Sequence, residues 1–172
     1  LGLNAKQIMK YYYPLETVYF DSGGLKKSID PDVLSFQRAS SDIIDLKTNE
    51  VIVRKGRRFV PNLIEKIKQA KIERIPIQES ELIGRPFAED VVNEETGEVL
   101  VNFNEEITEQ SLKNLKEKGI KEIKTFYIDN ISVVGSIRST LLADKVETKE
   151  DAITEIYKKF RPTDPPTLKV AE

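Results

Sequence analysis

Arg54-Lys55-Gly56-Arg57-Arg58 is the one dense basic cluster in this 172-residue chain. A glycine between cations lets the backbone approach a phosphate oxygen while the flanking side chains neutralise it. The candidate nucleic-acid or partner contacts are therefore Arg54, Lys55, Arg57 and Arg58. The same run is equally a loop kept soluble by charge, and no aromatic residues interleave with it to stack bases. Carboxylates also recur close together, as Glu94-Glu95, Glu105-Glu106 and Glu79 with Glu81. Such pairs can do acid–base or magnesium work, but these fall in predicted turns and polar strand faces, where solvated charge is the rule. The chain has no histidine and no cysteine, which removes nucleophilic triads, zinc sites and disulfides together. The glycines lack the spacing and the following Lys-Ser/Thr of a phosphate-binding loop. No catalytic, cofactor-binding or metal-binding residue is assigned, and no cofactor is expected. Tyr11-Tyr12-Tyr13 reads either as an aromatic contact surface or as a helix end packed on neighbouring structure.

The elements around these residues are duplicated. Residues 42–77 align with residues 90–125 at a constant offset of 48 without a gap. Asp42-Ile43-Ile44 answers Asp90-Val91-Val92, and Phe59, Ile64, Ile67, Ile72 and Ile75 answer Ile107, Leu112, Leu115, Ile120 and Ile123. Asn49 stands opposite Gly97, and Gly56 opposite Asn104. Two positions thus trade the residue types that best tolerate positive φ, as tight turns at both points require. Each copy reads as strand, turn, strand, helix, strand. Pro61 suits a helix first turn in one copy, and Thr108 caps the matching helix in the other, with Gly119 at its end. The copies differ in charge: residues 42–77 carry 9 basic and 5 acidic side chains, whereas residues 90–127 carry 5 and 9. The consequence is a dipolar module.

Outside the repeat, Asn4 with Gln7 forms a capping-box pattern for a short N-terminal helix stopped by Pro14, and residues 17–20 read as a strand. Residues 21–41 give no clear pattern. The linker 78–87 is expected to cross between the copies as an irregular strand, and residues 129–135 as a loop. Thr148 with Asp151 opens a helix whose Ala152, Ile153, Ile156, Tyr157 and Phe160 make one apolar face; Arg161-Pro162 ends it, and Thr163-Asp164-Pro165-Pro166-Thr167 is expected to be extended. Lys plus Arg (27) nearly balances Asp plus Glu (29), so the whole chain lacks the basic excess that advertises nucleic acid. No run approaches the roughly 20 apolar residues of a membrane span; a cytoplasmic protein without membrane partners is expected. A first residue of Leu1 is expected of a piece of something longer.

Several of these segments resemble the bacterial RNA polymerase beta-subunit family. The run from Ala152 to Thr167 is similar to a segment of that subunit's lobe, as are Val53-Arg54-Lys55-Gly56-Arg57-Arg58, Thr96-Gly97-Glu98-Val99-Leu100 and Gly119-Ile120-Lys121-Glu122-Ile123-Lys124-Thr125-Phe126-Tyr127. The resemblance implies an α+β fragment in which residues 1–12 and 137–172 belong to a mostly helical lobe. Residues 13–136 would then be a lineage-specific insertion, a barrel-sandwich-hybrid-like module with halves 42–77 and 90–125. It implies a non-catalytic part of a nucleotidyltransferase that synthesises RNA on DNA. The implied partners are the beta', alpha, omega and sigma subunits, downstream DNA near the lobe, and accessory transcription factors docking on the insertion. Residues 21–41 and 129–145 depart from the family pattern. A rival of another class is a biotinyl or lipoyl carrier domain, with Lys47 as the modified lysine at a hairpin tip. That fold needs no helix in each half, whereas both halves here contain one.

Overall fold

The computed structural model describes residues 3–35, 37–146 and 148–163. They form two compact units, Leu1–Gly135 and Ser136–Glu172, and the fold class is α+β.

The centre of the first unit is a hairpin of β1 (Leu15–Asp21) and β2 (Gly24–Ser28). Its turn runs through Ser22-Gly23, and Gly24 takes a φ of 116° that a side chain would resist. Each copy of the repeat supplies two short strands, a helix and a longer strand. These are β3 (Ile43–Ile44), β4 (Val51–Val53), α3 (Pro61–Gln69) and β5 (Arg74–Pro76) in the first, and β6 (Val91–Val92), β7 (Val99–Val101), α4 (Glu109–Glu117) and β8 (Glu122–Phe126) in the second. The two final strands flank the hairpin in an antiparallel sheet of order β5-β2-β1-β8. Registers match across the sheet: Ile75 pairs with Lys27, Lys27 with Val18, and Val18 with Ile123. A pseudo-twofold axis therefore passes through the hairpin, relating β5 to β8 and β2 to β1.

The duplication extends to individual hydrogen bonds. Asp42 Oδ1 accepts from Lys55 N (2.6 Å), and Asp90 Oδ1 accepts from Phe103 N (2.7 Å). Asn49 and Gly97 have φ of 58° and 71°, and Gly56 and Asn104 have 78° and 66°, so the traded glycine and asparagine positions do carry left-handed turns. A third such pair is Lys71 (57°) and Gly119 (73°), each just past a helix. Gly119→Ala should cost about 1 kcal/mol, and Lys71→Gly should recover part of a similar strain; shifts in the urea midpoint of the two variants, opposite in sign, check this. The repeat also starts earlier than side-chain matching reveals. Phe59 N donates to Gln37 O and Ile107 N to Arg85 O, and the bridges Arg38–Arg58 and Pro86–Glu106 again lie 48 apart.

Each copy centres an apolar cluster, with Ile77 of the first copy crossing into that of the second. Leu34, Ile43, Val53, Phe59, Ile64, Ile67 and Ile75 form one, and Leu82, Phe87, Val91, Val101, Ile107, Leu112, Leu115 and Ile123, with Val18, form the other. Helices of about three turns are unstable alone in water, and α3 and α4 are held by Ile64, Ile67, Leu112 and Leu115 in these clusters. α1 (Ala5–Tyr12) has the full Asn4–Gln7 capping box and buries Met9.

Residues 78–87 do not form the expected irregular strand. A 3-10 turn at Glu79–Glu81 brings Leu82, which is fully buried, into the position that Leu34 holds in the first copy. Core demand for that leucine outweighs the extended tendency of the linker. Residues 21–41 contain β2 and the short helix α2 (Pro31–Leu34), which Asp30 caps. In the second unit, α5 (Ser136–Ala143) has no counterpart in the sequence pattern, and α6 (Lys149–Phe160) opens on the Thr148–Asp151 capping box as expected. The proline-rich run from Asp164 onward lies outside the described residues.

Candidate interaction surface

The basic loop leaves β4 and returns to α3, held through its backbone, in part by Ala39 N donating to Arg57 O (2.9 Å). Lys55 N is fixed on Asp42, Gly56 N donates to Ala39 O (2.7 Å), and Arg57 N to Arg54 O (3.1 Å). The four cations then divide. Arg58 Nε donates to Ser35 O (3.2 Å), which ties this side chain to the module, much as Arg38 Nη1 is tied to Gly56 O (3.0 Å). Arg54, Lys55 and Arg57 are exposed, and among the described residues their side chains have no hydrogen bond or ion pair. Three of the four candidate contacts thus present uncommitted charge, and the fourth acts as a strut.

The equivalent loop of the second copy is Asn102-Phe103-Asn104-Glu105-Glu106. Arg57 and Arg58 are answered by two glutamates and Lys55 by Phe103. The aromatic ring is covered: Phe103 packs edge-on to Phe126 (6.3 Å between centroids), Lys6 of α1 lies over it at 5.8 Å, and Lys10 meets Glu89 at 3.5 Å. Tyr13 is buried beside Phe126, whereas Tyr11 and Tyr12 remain exposed, so the tyrosine run divides between packing and surface. One loop face is occupied by the chain's own helix, and the other is bare and cationic.

Behind the loops lies a polar cluster that the sequence patterns do not flag. Glu16 of β1, Lys27 of β2, Gln37 and Arg85 are all buried. Glu16 Oε1 accepts from Gln37 Nε2 (2.7 Å) and Lys27 Nζ (3.1 Å), and Oε2 accepts from Arg85 Nη1 (2.5 Å). Lys27 also donates to Gln37 Oε1. Burial pushes the Glu16 carboxyl up, but Lys27, Arg85 and the Gln37 amide outweigh it and leave it below the ordinary carboxylate range. Burial also depresses the Lys27 ammonium, which Glu16 only partly restores. Gln37 and Arg85 are equivalent residues of the two copies, so one carboxylate joins both halves. The available signal was their spacing of 48, just outside the window in which side chains match. Arg85 further lies 4.9 Å from the Tyr127 ring, and burial together with the bond to Asp129 raises the Tyr127 hydroxyl above its usual range. These groups are mutually satisfied and enclosed, which is the pattern of a structural hub.

Lys47 is exposed in the β3–β4 turn, but each half contains the helix that a carrier domain does not need. Glu94, Glu95, Glu105, Glu106 and Glu79 are solvent-exposed, and among the described residues no three histidine, cysteine or carboxylate side chains are placed to hold a metal. No described helix is long and apolar enough to cross a membrane.

Curated relatives match along nearly the whole chain. The DNA-directed RNA polymerase subunit beta of Anaeromyxobacter sp. (strain Fw109-5) is 47% identical over 98% of it, that of Sorangium cellulosum 44% over 100%, and that of Syntrophotalea carbinolica 42% over 99%. The chain belongs to the RNA polymerase beta-subunit family. It spans about 12% of the length of those relatives. No family model matches it. Within this beta-subunit segment the match runs through both copies of the repeat and α6, so the basic loop and the buried hub both lie inside the aligned region.

Proposed function

We propose that this beta-subunit segment is a non-catalytic part of DNA-dependent RNA polymerase that supports transcription as lobe structure and as a docking surface for regulators. The observation that carries the reading is the bare cationic loop of Arg54, Lys55 and Arg57, set on a rigid duplicated scaffold with the corresponding face of the other copy already covered. Exposed charge held on a fixed frame suits recognition of an acidic partner surface, since charge complementarity sets encounter rate and specificity. The module would work in the cytoplasm beside the beta', alpha, omega and sigma subunits, with residues 1–12 and 137–172 in the lobe and residues 13–136 projecting as the insertion. Two related halves about a pseudo-twofold axis support classing that insertion with barrel-sandwich hybrids.

The test is a reconstituted polymerase whose beta subunit carries Arg54→Glu, Lys55→Glu and Arg57→Glu together. Factor-independent RNA synthesis and the salt dependence of DNA binding should stay within twofold of the parent enzyme, while the response to at least one accessory factor falls tenfold or more. A reduced salt slope of DNA binding would instead assign these cations to phosphate contacts, and unchanged factor responses throughout would end the docking reading.

A further inference from the structure

The two edges of the central sheet are built differently. On the β8 side, Phe20 N donates to Lys121 O (2.9 Å), which sets the alternation of the antiparallel ladder so that Glu122 and Lys124 turn their main-chain groups away from β1. Further along, Ala88 N donates to Lys124 O (2.9 Å) and Phe126 N to Pro86 O (3.1 Å). The chain then diverges into β6. Among the described residues the N–H and C=O of Glu122 and the N–H of Lys124 have no main-chain partner. They face a groove of about 410 Å³ lined by Glu89, Val91, Asn93, Lys121, Glu122 and Lys124.

On the β5 side, Ile77 N donates to Leu25 O (3.0 Å), so Arg74 and Pro76 are the outward residues. Pro76 is the equivalent of Lys124 and has no N–H to offer. A proline at an outward edge position blunts a sheet against further pairing. One edge is therefore protected, and its pseudo-symmetric counterpart is open, with a donor, an acceptor and a donor in line.

Charge selects the occupant. Glu94, Glu95 and Glu122 around the groove are exposed without a side-chain partner among the described residues, against one such cation, Lys121. Glu98 is engaged by Lys118 (3.9 Å) and Glu89 by Lys124 (3.1 Å). We propose that the open edge of β8 is a strand-addition site for an extended basic peptide of another protein. Main-chain hydrogen bonds to Glu122 and Lys124 supply affinity, and alternate side chains of the peptide meet the carboxylates. The site is on the opposite copy from the basic loop and does not depend on the role of that loop.

The probe is a fluorescein-labelled hexapeptide, Lys-Val-Lys-Val-Thr-Val, titrated against the full 172-residue chain at low salt with amide NMR shifts recorded in parallel. Saturable binding that moves the Glu122 and Lys124 amides, and at least tenfold weaker binding of the Glu-Val-Glu-Val-Thr-Val analogue, is expected. Lys124→Pro, which copies the blunted edge, should abolish binding, while Lys124→Ala keeps the N–H and should bind within threefold. Should Lys124→Pro fail to fold, Glu94→Lys with Glu122→Lys, both at exposed positions, should weaken binding tenfold or more. Absence of binding, shifts confined to other residues, or equal affinity for both peptides would overturn the proposal. Concentration-dependent self-association that Lys124→Pro removes would overturn it too, by placing a second copy of the chain on the edge.

Discussion

Glu16→Ala is expected to cost the first unit about 3–5 kcal/mol of folding free energy, the range for breaking a buried ion pair by removing one partner. The magnitude follows from what stays behind: Lys27 and Arg85 remain enclosed with no carboxylate between them. Lys27→Met is the opposite case. It stands where the pseudo-twofold axis places Val18, and its loss leaves Glu16 paired with Arg85 and Gln37 at balanced charge. Losing one partner is costly where it strands a buried charge. Here the carboxylate keeps an opposite charge and an amide donor, and burial already disfavours the Lys27 ammonium, so Lys27→Met should change stability by less than about 1 kcal/mol. Urea midpoints of the two variants measure this contrast. The pH dependence has a definite sign. The folded pKa of Glu16 is depressed, so its contribution is present above the ordinary value of 4.5 and is lost as pH falls through the folded value. Lys27 is depressed as well, so its burial cost is present below its folded value and is relieved as pH rises through that value toward the ordinary 10.5. Acid unfolding of Glu16→Gln should therefore be less steep with pH than that of the parent chain.

Phe126→Ala is the second large effect, about 3–5 kcal/mol for a fully buried phenylalanine. Its ring is packed against Tyr13 (6.0 Å) and Phe103 (6.3 Å), so the variant should also release α1 and raise proteolytic cleavage near residues 5–12. The pseudo-equivalent residue is Gln78, exposed on the first copy, and Gln78→Ala should stay within about 0.5 kcal/mol. Similar costs at the two sites would contradict the asymmetric covering of the loop faces.

The repeat, its turns and its helix caps were legible because they are local and periodic. Asn49 and Gly97 mark left-handed turns by residue type, and Thr108 and Thr148 announce their helices by side-chain chemistry. The hub was not legible, since glutamate and lysine on a strand ordinarily face water. Nothing within five residues of Glu16 or Lys27 signals that Gln37 and Arg85 will enclose them. α2 was hidden by its four-residue length, and α5 by Ser136, Ser139 and Thr140, which blur any apolar stripe. The basic loop was readable as a charge cluster, but its division into three uncommitted cations and one strut depends on Ser35, which lies 23 residues from Arg58.

Native-state hydrogen exchange along the row Ile75, Lys27, Val18 and Ile123 tests most directly whether the two copies form one scaffold about a shared hairpin. The four amides should exchange with one common free energy and one denaturant slope, equal to those of global unfolding of the first unit. Earlier opening of Lys27 and Ile75, with Val18 and Ile123 still protected, would show two independently folding halves and contradict the account.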